Sequence, residues 1–106
     1  MDSEEEVYGA LVRAGEEGRR VVLATVVAAS GSTPRGMGSK MVIGEEGLVG
    51  TIGGGCGEAD VLTAAEEVRE TGRPKRVRVE LTDDEESWSP AVCGGVMDVF
   101  LERVDP

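Results

Sequence analysis

The order of hydrophobic and polar positions predicts two helices and a central apolar strand. Apolar residues repeat at helical spacing after Ser3, and again from about Glu58 to Thr71, where Gly72 provides a C-terminal cap. Residues 21–29, between the two helices, are almost wholly apolar, which is typical of a strand covered on both faces. We therefore interpret the first helix as a surface helix that packs one apolar stripe on a sheet.

Further strands are predicted on either side of the second helix. Two apolar stretches, 40–43 and 48–52, flank the turn at 44–47 and predict a β-hairpin. Residues 77–81 alternate between apolar and charged side chains, which indicates a strand with one solvent-exposed face. Residues 96–104 are predicted to form the final strand.

The order of these elements predicts the fold class. Helix, strand, hairpin, helix, strand and strand indicate an α/β fold, with a mixed β-sheet of about five strands and two helices packed on it. At 106 residues the chain is expected to form one small domain over residues 1–106.

Three loops rich in small residues lie at the ends of the predicted strands, at 30–38, 53–57 and 93–95. In the second loop three consecutive glycines lead into the second helix, whose first N–H groups and partial positive charge favour a phosphate or pyrophosphate. Cys56 lies at this helix entry, where the pKa of a thiol tends to fall. We expect the sheet to gather these loops at one edge, which would place a reactive sulfur beside an anion site.

The candidate site residues contribute a backbone N–H group, a hydroxyl, a charge or a thiol within or beside these loops. They are Ser32, Thr33, Arg35, Lys40, Gly53, Gly54, Gly55, Cys56, Glu58, Cys93 and Gly94, with Cys56 as the catalytic candidate. Each also has a structural interpretation: turn formers, solvated charges, a first-turn helix charge at Glu58, and small buried side chains at the cysteines. Neither glycine-rich nucleotide-binding motif, G-x-G-x-x-G or G-x-x-x-x-G-K-[ST], is present.

Composition narrows the possible functions. The net charge of −10 argues against broad binding to nucleic acid or anionic membranes, which requires a basic surface. The absence of His excludes a His-based catalytic triad and a His-ligated zinc. No membrane span or signal peptide is evident, so we expect a cytoplasmic protein whose two cysteines are thiols. Many charges with no Asn or Gln favour a thermophilic source.

Four segments, in this order, resemble the N-terminal domain of the XdhC/CoxI family, accessory proteins of molybdenum hydroxylases. They are GSTPR at 31–35, GSKM at 38–41, GTIGGGCGE at 50–58 and CGGVMDVF at 93–100. Members commonly carry a second, C-terminal dinucleotide-type domain, which we do not expect here because the sequence ends at Pro106.

The resemblance implies a chaperone that binds the molybdenum cofactor (molybdopterin, with or without a linked nucleotide) and assists its sulfuration and insertion. The implied partner is the apoenzyme of a molybdenum hydroxylase such as xanthine or carbon monoxide dehydrogenase. A cysteine desulfurase, a separate chain with the C-terminal domain and a second copy of this chain are further candidate partners. Cys56 is the candidate ligand to the molybdenum of the bound cofactor.

Two other functions remain open from the sequence. The first is a sulfur-transfer or thiol-redox enzyme that uses Cys56 with Cys93 as the resolving thiol. The second is a non-catalytic interaction subunit whose glycines only form turns. Catalysis is thus an open question, although a cofactor-binding chaperone is favoured over an enzyme.

Overall fold

The computed structural model describes residues 3–30, 37–45, 47–50, 58–80 and 96–106. Its helices and strands follow the order that the sequence predicts. They are α1 (Ser3–Glu16), β1 (Val21–Ser30), β2 (Lys40–Gly44), β3 (Gly47–Gly50), α2 (Glu58–Thr71), β4 (Lys75–Glu80) and β5 (Val96–Val104). Among the described helices, none is long and apolar enough to span a lipid bilayer.

The strands form one five-stranded sheet in the order β3-β2-β1-β5-β4. The fold class of two helices and about five strands is confirmed, with one difference from the expected mixed sheet. Every pairing between the described strands is antiparallel. The connection through α2 does return β4 parallel to β3, but these strands lie at opposite sides of the sheet, with three strands between them.

One face of the sheet packs against α2 and forms the larger core. The α2 residues Val61, Ala65 and Val68 are buried against β1, β2, β4 and β5. On this face lie Val22, Ala24, Val26, Met41, Val79, Met97, Val99 and Leu101, all almost completely buried. The nearly continuous apolar sequence of β1 is explained by its position in the middle of the sheet, where both faces are covered as far as Val26, whereas Val27 and Ala29 are exposed.

The opposite face packs against α1 along β2 and β3. Val7 and Ala14 of α1 are buried with Val21 and Val42 of the sheet. Other apolar side chains of α1 point outwards, including Tyr8 at 49% exposed and Val12 at 62%. The predicted surface helix with one buried stripe is therefore confirmed.

Glycines with positive φ end the helices and shape the hairpin. Gly18 and Gly72 follow α1 and α2 with φ of 72° and 75°, and the Gly72 N–H donates to the carbonyl of Val68. In the hairpin Gly47, at the start of β3, has a φ of 136° and pairs with Gly44. The positive φ at Gly18, Gly47 and Gly72 favours glycine because other residues rarely adopt such backbone conformations.

Candidate functional site

The described ends of three loops lie at the same edge of the sheet. Ser30 of β1 pairs with Val96 of β5, and Val96 also pairs with Glu80 of β4. On the other side of β1, the hairpin brings the start of β2 beside Gly50, the last residue of β3. We call this the loop edge, because residues 31–36, 51–57 and 81–95 all connect to it.

The strands do not all end at the same level at the loop edge. Lys40 at the start of β2 pairs with Thr25, and β1 continues beyond this pair to Ser30. Because β1 has a bulge between Val26 and Ala28, this stretch matches four residues of β5, so β1 extends about 13 Å past the end of the hairpin. Since β4 and β5 extend beside β1 as far as Val96, these three strands project beyond β2 and β3. We call the three longer strands the wall, and the ends of β2 and β3 beside them the shelf.

The N-terminal end of α2 points towards the loop edge. Its last turn is held at the opposite edge, where Arg69 lies 3.7 Å from Glu45 and the Arg69 carbonyl accepts a hydrogen bond from Nη1 of Arg103. Glu67 likewise pairs with Lys75 at the beginning of β4, at 2.9 Å. The positive end of the helix dipole therefore faces the three loops, and Asp60 in the first turn balances part of it.

The first helix has the same orientation as the second. Val7, near its N-terminal end, lies against Gly50, whereas Ala14 packs beside Val21 at the opposite edge. The positive ends of both helix dipoles thus face the loop edge, where the carboxylates in the first turns of the two helices offset them.

Lys40 is the described candidate side chain at this edge. It is half-buried, and its Nζ donates a hydrogen bond of 2.9 Å to the carbonyl oxygen of Gly38. An ammonium group has three donors, so this bond fixes the side chain and leaves donors for an anion. Its location agrees with an anion-binding role without testing it.

Most of the other candidates lie outside the described residues. These are Ser32, Thr33, Arg35, Gly53, Gly54, Gly55, Cys56, Cys93 and Gly94. The backbone of Glu58 begins α2, as predicted from the sequence. The proposed roles of all these residues remain predictions, while the loops that carry them leave the sheet from the same edge.

The structure adds an ionic cluster that sequence reasoning did not identify. Asp98 of β5 is buried, and its two carboxylate oxygens accept hydrogen bonds from Nη2 of Arg76 at 2.8 Å and Nε of Arg78 at 3.2 Å. These bonds hold the pKa of the Asp98 carboxyl below its ordinary value. An acid within the apolar first half of β5, together with the alternating arginines of β4, was the available sequence signal.

Comparison with known proteins identifies the family. Residues 14–80 match the model of the XdhC and CoxI family. The chain belongs to this family. The resemblance that the glycine-rich segments suggested is thereby confirmed.

Individual relatives agree with this assignment. The chain is 34% identical over 95 residues to a Bacillus subtilis protein named as a probable subunit of xanthine dehydrogenase, covering 84% of this chain and 28% of that protein. It is 32% identical over 96 residues to the molybdenum cofactor insertion chaperone PaoD of Escherichia coli, covering 88% and 29% of the two proteins. This family member thus spans less than a third of the length of either relative.

A solved structure supports the fold. A crystal structure described as a xanthine dehydrogenase from Bacillus halodurans superposes with a TM-score of 0.78 and 32% sequence identity. The match covers 99% of this chain and 31% of the other. Nearly all of this family member therefore corresponds to one part of a longer relative.

Proposed function

We propose that this protein binds the molybdenum cofactor and assists its sulfuration and its insertion into a molybdenum hydroxylase, such as xanthine or carbon monoxide dehydrogenase. The observation that carries the proposal is that all three loops leave the sheet from the same edge, at positions spread across its width. Similarity to an insertion chaperone indicates which cofactor such an edge would bind.

The residues at the loop edge fit an anionic cofactor with a soft metal. Arg35 would pair with a phosphate in a bidentate manner, and Lys40 would add a second positive charge. Gly53, Gly54, Gly55 and Gly94 would offer backbone N–H groups, and Ser32 and Thr33 would offer hydroxyl donors.

A thiolate at Cys56 would provide the soft ligand that a molybdenum centre accepts, or would hold a sulfur for transfer. Cys93 would lie on the neighbouring loop and contribute a second sulfur to the same site. Glu58 would bind near the entry of α2 through its charge or its backbone N–H group. In this proposal the cofactor is cargo that the protein holds and delivers.

The test is the cofactor content of the isolated protein. Protein purified from molybdenum-supplied cells is expected to contain molybdenum and to release a fluorescent pterin on oxidation. Arg35→Ala and Cys56→Ala should both lower this content while circular dichroism shows an intact fold. Arg73→Ala is a suitable control because Arg73 is exposed in the connection between α2 and β4, at the opposite edge.

A second candidate function, a sulfur-transfer or thiol-redox enzyme, is favoured by one observation. The loops that contain Cys56 and Cys93 start and end at the same edge of the sheet. The enzyme requires the two Cα atoms to come within about 5.5–6 Å, the usual distance for a disulfide. Mild oxidation followed by alkylation and peptide mass spectrometry would detect an intramolecular disulfide, and two fully alkylated thiols would rule out the resolving-thiol mechanism.

A further inference from the structure

The cluster of Asp98 with Arg76 and Arg78 lies on the wall, on the face of the sheet to which α1 packs. Residues paired across antiparallel strands point to the same side, so the row Lys40, Thr25, Phe100 and Arg76 shares one face. Arg78 pairs with Asp98 one step higher on this face. The cluster therefore lies on the same face as Lys40, with β1 between it and the shelf.

The exposure of the three side chains is unequal. The side chain of Asp98 is 12% exposed, whereas those of Arg76 and Arg78 are 61% and 69% exposed. The carboxylate is thus placed beneath two guanidinium groups that face the solvent. This arrangement fixes the direction of both arginines and leaves their outer surfaces accessible.

The charge of the cluster and its hydrogen-bond donors show which groups remain available to bind a ligand. One carboxylate is shared by two guanidinium groups, so these three side chains carry a net charge of about +1. The exposed Glu80, on the same face of β4 two residues beyond Arg78, offsets this charge on the side of the loop edge. Among the described residues, the hydrogen bonds of Asp98 to the two arginines use Nη2 of Arg76 and Nε of Arg78. Both terminal nitrogens of Arg78 can therefore form the two parallel hydrogen bonds with which Arg binds phosphate.

The position of the cluster relates it to the proposed cofactor site. Arg78 is two residues from Glu80, which ends β4 at the loop edge, and this separation corresponds to about 7 Å along the strand. Arg76 is level with Lys40 across three strand spacings, which is about 14 Å. A ligand at the loop edge is within reach of these side chains.

We propose that Arg76 and Arg78, positioned by Asp98, bind a phosphate or pyrophosphate group of the cofactor held at the loop edge. This inference rests on the proposed function, because it assigns the phosphate end of the same cargo to a second group of residues. The small size of the cluster favours a single phosphate over a protein partner, whose interface would cover about 800 Å² on each side. An acidic protein segment is the alternative that the experiment has to distinguish.

The first experiment measures binding of inorganic pyrophosphate by calorimetry at low salt. The double variant Arg76→Gln/Arg78→Gln is expected to bind at least about tenfold more weakly than the unmodified protein, since hydrogen bonds to charged groups contribute about 1.5–3 kcal/mol each. Arg73→Gln removes the charge of another exposed arginine and should bind pyrophosphate normally. Equal binding by the double variant, or an equal loss in Arg73→Gln, would overturn the proposal.

Asp98→Asn tests the positioning role separately. This variant removes a negative charge, so a purely electrostatic effect would strengthen pyrophosphate binding. If Asp98 acts by orienting the two guanidinium groups, binding weakens despite the more favourable charge. Stronger binding by Asp98→Asn would contradict the positioning role.

Two further readouts separate this proposal from its alternatives. Binding of a polyglutamate peptide without binding of pyrophosphate would assign the surface to a protein partner and overturn the proposal. The cofactor content of the purified protein shows whether the phosphate-binding role of the arginines is wrong or the proposed function itself is wrong. Unmodified protein without molybdenum or pterin would contradict the proposed function, whereas equal content in the unmodified protein and the double variant would contradict only the role of the arginines.

Discussion

Among the described residues of the loop edge, Gly50 has the strictest backbone requirement. Its φ is +88°, and a Cβ atom there would lie 2.7 Å from the Lys40 carbonyl oxygen and 2.8 Å from Cγ2 of Val7. Both distances are shorter than van der Waals contact allows. Glycine at this position therefore lets the end of β3 lie close to β2 and α1, just before residues 51–57.

Replacement of Gly50 by Ala is expected to destabilise the protein. The left-handed conformation alone costs about 1–3 kcal/mol for a residue with a Cβ atom, and the two close contacts add to this cost. The measurement is the free energy of unfolding in urea. Gly9→Ala is the matched control: a Cβ at position 9, within α1, would have nothing within 4 Å.

In the control, the substitution in α1 should raise the free energy of unfolding by about 0.5–1 kcal/mol, because Ala is favoured over Gly inside helices. Opposite signs for the two changes would support the described backbone of β3. A neutral Gly50→Ala would contradict it.

The stabilisation by Asp98 is expected to depend on pH. The Arg76 and Arg78 hydrogen bonds lower the pKa of Asp98 in the folded protein below 3.8, so the unfolded chain takes up this proton first as the pH falls. The stabilisation is therefore complete above the unfolded pKa of about 3.9 and is lost as the pH falls through the folded pKa.

The measurement compares the urea unfolding of Asp98→Asn with that of the unmodified protein at pH 7, 5, 4 and 3. The difference in free energy should be constant between pH 7 and 5 and should shrink below pH 4. Glu66→Gln, at an exposed position of α2, controls for the loss of one negative charge. A difference that grows towards low pH would have the wrong sign for this account.

For individual residues, some structural roles could be predicted from the sequence and others could not. Gly72 was predicted as the helix cap because glycine followed by proline has a local signature. The contacts of Asp98 could not be predicted, because they join residues about twenty positions apart through a strand pairing that only the sheet order defines. Lys40 is the candidate residue whose side chain is described. Glu58 is described as the first residue of α2, and the other candidates lie outside the described residues.

At the scale of elements, α2 and the sheet behave as one core, and α1 as a partial cover. Val68 of α2 is completely buried against the sheet, whereas Val12 of α1 is 62% exposed. The two valines offer a matched comparison, since both lie in helices of 14 residues.

Val68→Ala is expected to cost about 1.6 kcal/mol for the two lost methyl groups, plus a further amount for the cavity. Val12→Ala should change the free energy of unfolding by less than about 0.5 kcal/mol. The gain in helix propensity is common to both variants, so the difference between them measures burial. Similar losses at both positions would contradict the described packing of α2.

The predicted elements agree closely with the structure because their signals are local. The span of α2 was predicted from its apolar repeat, and the hairpin from two apolar stretches around a Gly-rich turn. The mixed character of the sheet was predicted from helix-connected strands that usually lie side by side. Here β3 and β4 are instead separated by the whole width of the sheet.

For the whole molecule, net charge and topology act together at the loop edge. The chain is strongly acidic, yet Lys40, Arg76 and Arg78 lie on one face near the ends of the three loops. The gathering of the loops was a hypothesis from the sequence, because strand order cannot be deduced from periodicity. The described strand registers show that all three loops leave the sheet from this edge, spread across its width from β3 to β4.

The net charge of −10 predicts that added salt stabilises the protein. Self-repulsion in the compact state is screened as the Debye length falls to about 10 Å at 0.1 M ionic strength. The midpoint of thermal unfolding at pH 7 should therefore rise between 20 and 200 mM NaCl, with sucrose of equal osmolality as an uncharged control. A fall would mean that ion pairs such as that between Lys75 and Glu67 outweigh the repulsion.

The central claim is that the loop edge binds the molybdenum cofactor. The most direct measurement is the molybdenum and pterin content of the protein and its variants from molybdenum-supplied cells. The account predicts both components in the unmodified protein and in Arg73→Ala, and a marked loss in Arg35→Ala and Cys56→Ala that remain folded. Unchanged content in these last two variants would contradict the assigned site, and no molybdenum or pterin in the unmodified protein would contradict the function itself.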